Sequence, residues 1–336
     1  MQINIFPGKF IANPAVENDG FYISDFLLRE ARFVNDDEQT ELCELAFELF
    51  AETRPVKKII YSGDALAARI VGGKENCAIL PGGSATVRNE HFFAMSASPV
   101  DSLDIAVYYR QNGEEKSGHL AVPVVNYKTK NEYIFPVRGK GWQVHGNYDC
   151  LGSHRIPAPA SMEFAIDLGM LDFENKITYE WNANRKNEDA LCYGKEILAI
   201  GDGEVVDCYN TADWRAFYSD DPESDWVRIG KQYGSVPLHC GNYVIIRHAN
   251  DEYSFYGHMI QNSVTVQKKM SVKQGDVLGK LGNVGFSFSP HLHFHLMDGP
   301  DLFEACGLPC HFTNIVDMCG RQLSLICEEY TIIMVK

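Results

Sequence analysis

The sequence predicts a mainly β protein, in which an antiparallel β-sheet or barrel-sandwich domain follows a small α+β or β-sandwich domain. Three observations lead to this prediction. The chain has 336 residues, which is enough for two domains of ordinary size. Residues 36–53 alone have a clear helical spacing of apolar side chains. The rest of the chain alternates short β-rich runs with glycine-containing turns, which is typical of antiparallel sheets.

The first element to justify is the helix predicted over residues 36–53, which begins with acidic residues and ends before Pro55. Its apolar positions fall at i, i+3, i+4, i+7 and i+8, on one helical face: Leu42, Leu45, Ala46, Leu49 and Phe50. The β-rich runs that follow predict five strands: Lys58–Tyr61, Ala67–Val71, Phe92–Met95, Asp104–Tyr109 and His119–Val125. We therefore expect residues 1–125 to form an N-terminal module, whose role the sequence does not indicate.

Residues 126–336 continue as β structure and are expected to form the second domain. No helix comparable to residues 36–53 is predicted after residue 135. Nine of the eleven histidines lie at or beyond His145, so function is expected in this domain. The predicted strands are Ile197–Ile200, Glu204–Tyr209, Asn242–Arg247, Tyr253–Tyr256, Ser263–Gln267 and Asp276–Leu281.

Composition excludes several classes of partner. The formal net charge of −15 opposes binding to nucleic acid and to anionic lipid, and no strongly basic patch compensates for it. No apolar run approaches the roughly 20 residues of a membrane span. The opening residues lack a secretory signal, so we expect a cytoplasmic protein, or an envelope or extracellular one if the chain was trimmed or is exported by another route.

The strongest chemical signal is a run of alternating histidines, His291, His293 and His295, which a strand would place on one face. Neutral imidazole is a common metal ligand, and a catalytic zinc site takes three protein ligands. Asp167 stands in an apolar run, where an ionised carboxylate needs a partner or a metal. Upstream, either His154 or His145 could supply a third ligand. The residues therefore indicate a zinc site without settling its first ligand.

Beyond this pattern, residues 131–315 resemble the lysostaphin-type, or LytM-type, zinc metallopeptidases, which cut peptidoglycan peptides. The resemblance is specific because several short motifs occur in the family's order. They are Ala165-Ile166-Asp167-Leu168, Ile200-Gly201-Asp202-Gly203, Gly241-Asn242-Tyr243-Val244, Tyr256-Gly257-His258, Gln274-Gly275-Asp276-Val277, Gly282-Asn283-Val284-Gly285 and Pro290-His291-Leu292-His293-Phe294.

The resemblance implies that zinc is held by His154, Asp167 and His293, and that His258 and His291 stand beside it as catalytic groups. In much of the family the first ligand precedes the aspartate by four residues, where this chain has Glu163. His145 and Glu163 therefore stay open as alternatives to His154.

His295 is a second departure, because relatives commonly place an acidic or amide residue there. We expect it to orient a ligand or to bind substrate.

We therefore predict a zinc-dependent endopeptidase that hydrolyses peptide bonds in peptidoglycan stem peptides or cross-bridges. The first alternative is a catalytically inactive relative that acts as a binding or activator module. A carrier or sugar-transport domain is the second alternative, but it would need one active histidine or lysine rather than this set. The expected partner is a peptide or peptidoglycan-derived substrate, and the sequence does not indicate an oligomeric state.

Overall fold

The computed structural model describes residues 1–35, 38–71, 77–146, 154–156, 158–170, 186–214, 222–326 and 331–336. The chain divides into two compact units, Met1–Tyr127 and Lys128–Lys336. The sequence-based boundary between residues 125 and 126 falls two residues before this division. Each unit is mainly β, as the sequence predicts.

The described residues of the first unit form a β-sandwich with a short helix. The elements are β1 (Gln2–Phe6), β2 (Ile11–Asn13), β3 (Val16–Asn18), β4 (Phe21–Val34), β5 (Thr40–Ala51), β6 (Arg54–Ser62), α1 (Gly63–Arg69), β7 (Ile70–Val71), β8 (Ala78–Ile79), β9 (Ser84–Ser96), β10 (Ser102–Gln111) and β11 (Glu114–Asn126). One sheet has the order β1-β4-β9-β7 with β3 on β4, and the other has the order β2-β11-β10-β5-β6 with β8 on β5. Apolar side chains from both sheets form one core, in which the rings of Phe47 and Phe92 lie 5.4 Å apart.

The predicted helix over residues 36–53 is wrong, because Thr40–Ala51 form the buried strand β5 between β10 and β6. Residues 36 and 37 lie outside the described residues. Leu45, Phe47 and Leu49 point into the core with the two-residue period of a strand. The register against β10 shifts at Cys43, which leaves one extra residue in β5. This bulge separates the inward residues Leu42 and Leu45 by three positions, and so reproduces the spacing of a helix.

Three further predictions in the sequence differ from the structure. The predicted strand Ala67–Val71 is mostly the end of α1, and only its last two residues pair as β7. The predicted strand Ser263–Gln267 is a loop, in which Thr265 N still donates to Leu278 O. A helix occurs after residue 135, α2 (Pro222–Tyr233), in which Ile229 is buried and Val227 is half exposed.

The described residues of the second unit form one large antiparallel sheet with a small two-stranded sheet beside it. The elements of this unit are β12 (Lys140–His145), β13 (Ile166–Met170), β14 (Glu196–Leu198), β15 (Gly203–Tyr209), α2 (Pro222–Tyr233), α3 (Ser235–Cys240), β16 (Asn242–Arg247), β17 (Tyr253–Met259), β18 (Ser271–Val272), β19 (Val277–Lys280), β20 (Leu292–Met297), β21 (Gly307–Leu308), β22 (Ile315–Val316), β23 (Gln322–Leu323) and β24 (Ile332–Val335). The large sheet has the order β18-β15-β16-β17-β20-β13-β12-β24-β22-β23, with β21 on β20, and the small sheet pairs β14 with β19. In the described part of the chain, no helix has the length and apolarity that crossing a membrane requires.

The centre of this sheet carries the chemistry that the sequence singles out. Strand β20 lies between β17 and β13, so side chains from three adjacent strands meet there. Asp167 on β13 pairs directly with His293 on β20, and Gly257 on β17 pairs with His293 from the other side. Because directly paired residues have neighbouring side chains, the register alone brings a carboxylate and an imidazole together.

Candidate metal centre

Asp167 and His293 form the base of the centre. His293 Nδ1 lies 3.0 Å from Asp167 Oδ1, and the side chain of His293 is almost fully buried. Burial opposes the ionisation of Asp167, but the imidazoles of His154 and His291 outweigh it and hold the pKa of this carboxyl well below its usual range. Asp167 is therefore an anion inside the sheet, available to a cation.

His154 completes the cluster from the segment that precedes β13. Its Nε2 lies 3.3 Å from Asp167 Oδ2, and its ring stands 4.8 Å from that of His293 at a steep angle. Gly146 is required beside it, because a Cβ at this position would overlap the His154 ring. Burial lowers the pKa of His154, but the Asp167 carboxylate more than compensates and raises it above the ordinary value.

These three side chains fit a zinc ion. Their ligand atoms all lie within 4.8 Å of one another. Atoms bound to one tetrahedral zinc at typical distances are about 3.4 Å apart, which is close to the 3.0 and 3.3 Å that separate Asp167 from its two histidines. Two imidazoles and one carboxylate also form a donor set of the kind found in catalytic zinc sites, which leave a fourth position open.

His291 lies immediately before β20 and faces the same cluster. Its Nε2 lies 3.5 Å from Asp167 Oδ1. Its Nδ1 lies 2.7 Å from the Ser289 carbonyl oxygen, which can only accept a hydrogen bond, so Nδ1 carries the proton. In the neutral ring the lone pair then sits on Nε2, which is directed at the centre. His291 is thus arranged as a proton acceptor.

His258 lies next to His291, with 4.6 Å between the centroids of the two rings. It has a φ of 60° within β17, at a shift in the β16–β17 register, and a bulge of this kind redirects a side chain. Its Nδ1 donates to the Val284 carbonyl oxygen at 2.7 Å. Burial and the imidazoles of His291 and His293 lower the pKa of His258 well below its ordinary value, so its Nε2 is an acceptor.

The structure favours one of the two roles predicted for His295. This residue is fully buried, which excludes direct contact with a substrate in this structure. Its Nδ1 lies 3.1 Å from His293 Nε2, and its ring stacks on Phe255 at 4.8 Å. If His293 binds metal through Nδ1, its Nε2 carries a proton, which His295 Nδ1 accepts. This contact favours the role in which His295 orients His293.

The two alternatives for the first ligand have other partners. His145 pairs with Asp167 across the β12–β13 ladder, but its Nε2 lies 2.8 Å from Gln143 Oε1. Burial is the main cause that lowers the pKa of His145 to about 4. Glu163 instead faces Arg155, with 3.4 Å between Oε1 and Nε. Among these three residues, the structure brings His154 to Asp167 and His293.

The sequence pattern does not single out several residues that shape the centre. Ser287 Oγ lies 3.2 Å from His291 Nδ1 and donates to Asn283 Oδ1, while Phe255 supports His295. Asn283 belongs to the motif Gly282-Asn283-Val284-Gly285, but nothing in the pattern around Ser287 or Phe255 distinguishes them from ordinary loop and core residues.

Residues 189–303 match the model of Peptidase family M23. The match confirms the resemblance that the sequence motifs indicate. It contains His258, His291 and His293, whereas His154 and Asp167 precede the matched segment. The fold brings these two earlier residues to the three later ones.

Two curated relatives and one solved structure are similar to this chain. An uncharacterized metalloprotease of Buchnera aphidicola subsp. Baizongia pistaciae (strain Bp) is 25% identical over 173 residues, which are 51% of this chain and 38% of that protein. Peptidoglycan DD-endopeptidase ShyA of Vibrio cholerae serotype O1 is 37% identical over 59 residues, 18% of this chain and 13% of that protein. The catalytic domain of the antimicrobial peptidase lysostaphin from Staphylococcus simulans is 19% identical, with 54% of this chain and 89% of that chain covered and a TM-score of 0.26. The chain spans less than half the length of the two curated relatives.

Proposed function

We propose that the protein is a zinc-dependent endopeptidase, and the match of residues 189–303 to the model of Peptidase family M23 supports this proposal. The observation that carries the proposal is the cluster of His154, Asp167 and His293, with His258 and His291 beside it. Zinc, when bound, supplies a Lewis acid that polarises the scissile carbonyl and activates water. The protein's own residues hold the metal and move the proton.

The two histidines outside the ligand set divide the proton chemistry. His291 Nε2 accepts a proton from the attacking water and returns it to the leaving amine, since its Nδ1–H is held by Ser289. His258 Nε2, also an acceptor, hydrogen-bonds the same water and orients it, because its Nδ1–H is held by Val284. Both backbone carbonyls thereby fix an imidazole tautomer before substrate arrives.

The proposed substrate is a peptide bond in peptidoglycan stem peptides or cross-bridges. One of the relatives is a peptidoglycan DD-endopeptidase, and this supports the choice of substrate. Such a substrate requires the protein to act in the cell envelope, a location that cell fractionation tests against the cytoplasmic expectation.

The first experiment is the zinc content of the intact purified protein, measured by elemental analysis before and after reconstitution with zinc. About one zinc per chain is expected, with loss in His154→Ala and in His293→Ala. His248→Ala is the matched control, because His248 is equally buried but bonds to Asp202 and Ser254. Absence of zinc even after reconstitution would favour an inactive binding or activator module.

The second experiment measures hydrolysis of purified peptidoglycan and of synthetic stem and cross-bridge peptides. Cleavage that depends on zinc, on His291 and on His258 is the expected result. A protein that binds zinc stoichiometrically, binds peptidoglycan and cleaves none of these substrates would contradict the endopeptidase proposal and leave the binding module.

A further inference from the structure

We propose that the buried ion pair between Arg155 and Glu163 positions His154 in the metal centre. The inference rests on the proposed function, because it takes His154 as a metal ligand. It assigns a role to two residues that neither bind metal nor move a proton.

The arginine of this ion pair is completely buried. Arg155 follows His154 directly in the chain, and its side chain has no solvent exposure. Its Nε lies 3.4 Å from Glu163 Oε1, and the Glu163 side chain is only 10% exposed. A buried guanidinium requires an anionic partner, because desolvating an unpaired charge is very unfavourable. The ion pair with Glu163 helps to hold the Arg155 side chain inside, and it therefore restricts the adjacent backbone of His154.

Glu163 is suited to anchor Arg155 because its own segment is attached to the body of the sheet. It ends a short 3₁₀ turn over Ala160–Met162, with its N–H donating to Ala160 O at 3.2 Å. Ser161 in the same turn donates to Leu302 O at 2.5 Å. A Cβ at Gly307 would lie 2.8 Å from Ser161 O, so strand β21 packs tightly against the turn.

The same short segment therefore serves two purposes. Glu163 precedes Asp167 by four residues, so one anchored stretch supplies both a ligand and the partner of Arg155. His154 lies thirteen residues before Asp167 and does not pair with it across the sheet, so strand register does not fix its position. The ion pair adds a constraint, since it ties the residue next to His154 to the segment that leads into β13.

The test compares zinc affinity, measured by competition with a chromophoric chelator, in the full-length wild-type protein and in two matched variants. Glu163→Gln keeps the shape of the side chain and removes its charge. Glu252→Gln is the control, because Glu252 is also buried and accepts hydrogen bonds from Asn131 and Tyr133. We expect the zinc dissociation constant of Glu163→Gln to rise about 10–100-fold, the range found when residues that orient metal ligands are changed. Glu252→Gln should bind zinc as the wild type does.

Cobalt substitution supplies a second readout, because the visible absorption of the bound ion reports ligand geometry. The cobalt spectrum of Glu163→Gln should differ from that of the wild type, and the spectrum of Glu252→Gln should not. If Glu163→Gln does not fold, the double variant Arg155→Met/Glu163→Met removes both charges of the pair together. We expect the same loss of zinc affinity in this variant.

The outcomes separate this inference from the proposed function. Zinc affinity within threefold of the wild type in Glu163→Gln, or in the double variant if that is the one that folds, would overturn the positioning role and leave the metal centre intact. An equal loss in Glu252→Gln would also overturn it, since general destabilisation would then explain the effect. A wild type that binds no zinc, or a His154→Ala variant that binds it normally, would refute the proposed centre itself.

Discussion

Replacing His295 tests how far the metal centre depends on residues that do not touch the metal. The His295→Leu variant keeps a side chain of similar bulk against Phe255 but removes the Nδ1 acceptor that lies 3.1 Å from His293 Nε2. Because His295 is fully buried, water does not readily take the place of the lost acceptor. The His293 Nε2–H would then be left without a partner.

The expected size of the effect follows from that one hydrogen bond. Leaving a buried donor unsatisfied costs about 1–3 kcal/mol. Since the His293 tautomer with the proton on Nε2 is the one that binds metal through Nδ1, the same cost weakens zinc binding. About 1.4 kcal/mol corresponds to a tenfold change in affinity, so the zinc dissociation constant should rise roughly 5–150-fold.

Chelator competition on purified protein measures this change, and thermal unfolding checks that the variant is folded at the assay temperature. His248→Leu is the control, because it removes another buried imidazole, whose partners are the Asp202 carbonyl and the Ser254 hydroxyl. It should lower thermal stability and leave zinc affinity unchanged. A folded His295→Leu protein that binds zinc within threefold of the wild type would refute the proposed role of His295.

Three further predictions concern catalysis, backbone packing and metal removal. His291→Ala should lower kcat/KM by about 10²–10⁴-fold, as expected for loss of a general base, while elemental analysis still finds one zinc per chain; unchanged turnover would contradict the assigned role. Gly241→Ala should lower the free energy of unfolding by more than about 2 kcal/mol in urea titrations, because Gly241 has a φ of 63° and an added Cβ would overlap the Val284 carbonyl. Gly320→Ala, at a φ of 79° with open space around it, should cost only about 1 kcal/mol, and equal losses would show that packing at Gly241 is unimportant. Removing zinc with a chelator should lower the melting temperature in scanning calorimetry, since a ligand at 1,000 times its dissociation constant stabilises the folded state by about 4 kcal/mol; an unchanged melting temperature would argue against a bound metal.

The sequence predicts the strands of this protein better than its irregular elements. Residues 58–61, 92–95 and 104–109 all lie within observed strands, because their two-residue alternation matches a sheet with one buried face. Residues 36–53 mislead because a single bulge at Cys43 changes which side chains face the core. A bulge depends on pairing with a partner strand, and this pairing is not visible in the segment itself.

The metal centre also combines features that are visible in a single segment with features that depend on pairing to other segments. The alternating histidines of β20 are recognisable because a strand places His293 and His295 on one face, and the structure keeps them there in hydrogen-bond contact. The position of Asp167 opposite His293 is set by strand register, which the sequence suggests only through the resemblance to known peptidases. The tautomers of His258 and His291 depend on carbonyl groups in loops, and no sequence pattern indicates them.

The choice between His154 and Glu163 as first ligand shows why spacing alone was insufficient. Glu163 stands at the position that the resemblance to known peptidases assigns to the first ligand, but a centre made of Glu163, Asp167 and His293 would separate Glu163 from the buried Arg155. Using His154 satisfies both requirements, because the imidazole reaches Asp167 while Glu163 neutralises the guanidinium. The Glu163→His variant would therefore restore the common spacing and at the same time remove the ion pair between Arg155 and position 163. We expect that variant to be less stable than the wild type in urea titrations, and a protein of equal stability would show that the ion pair does not determine the choice.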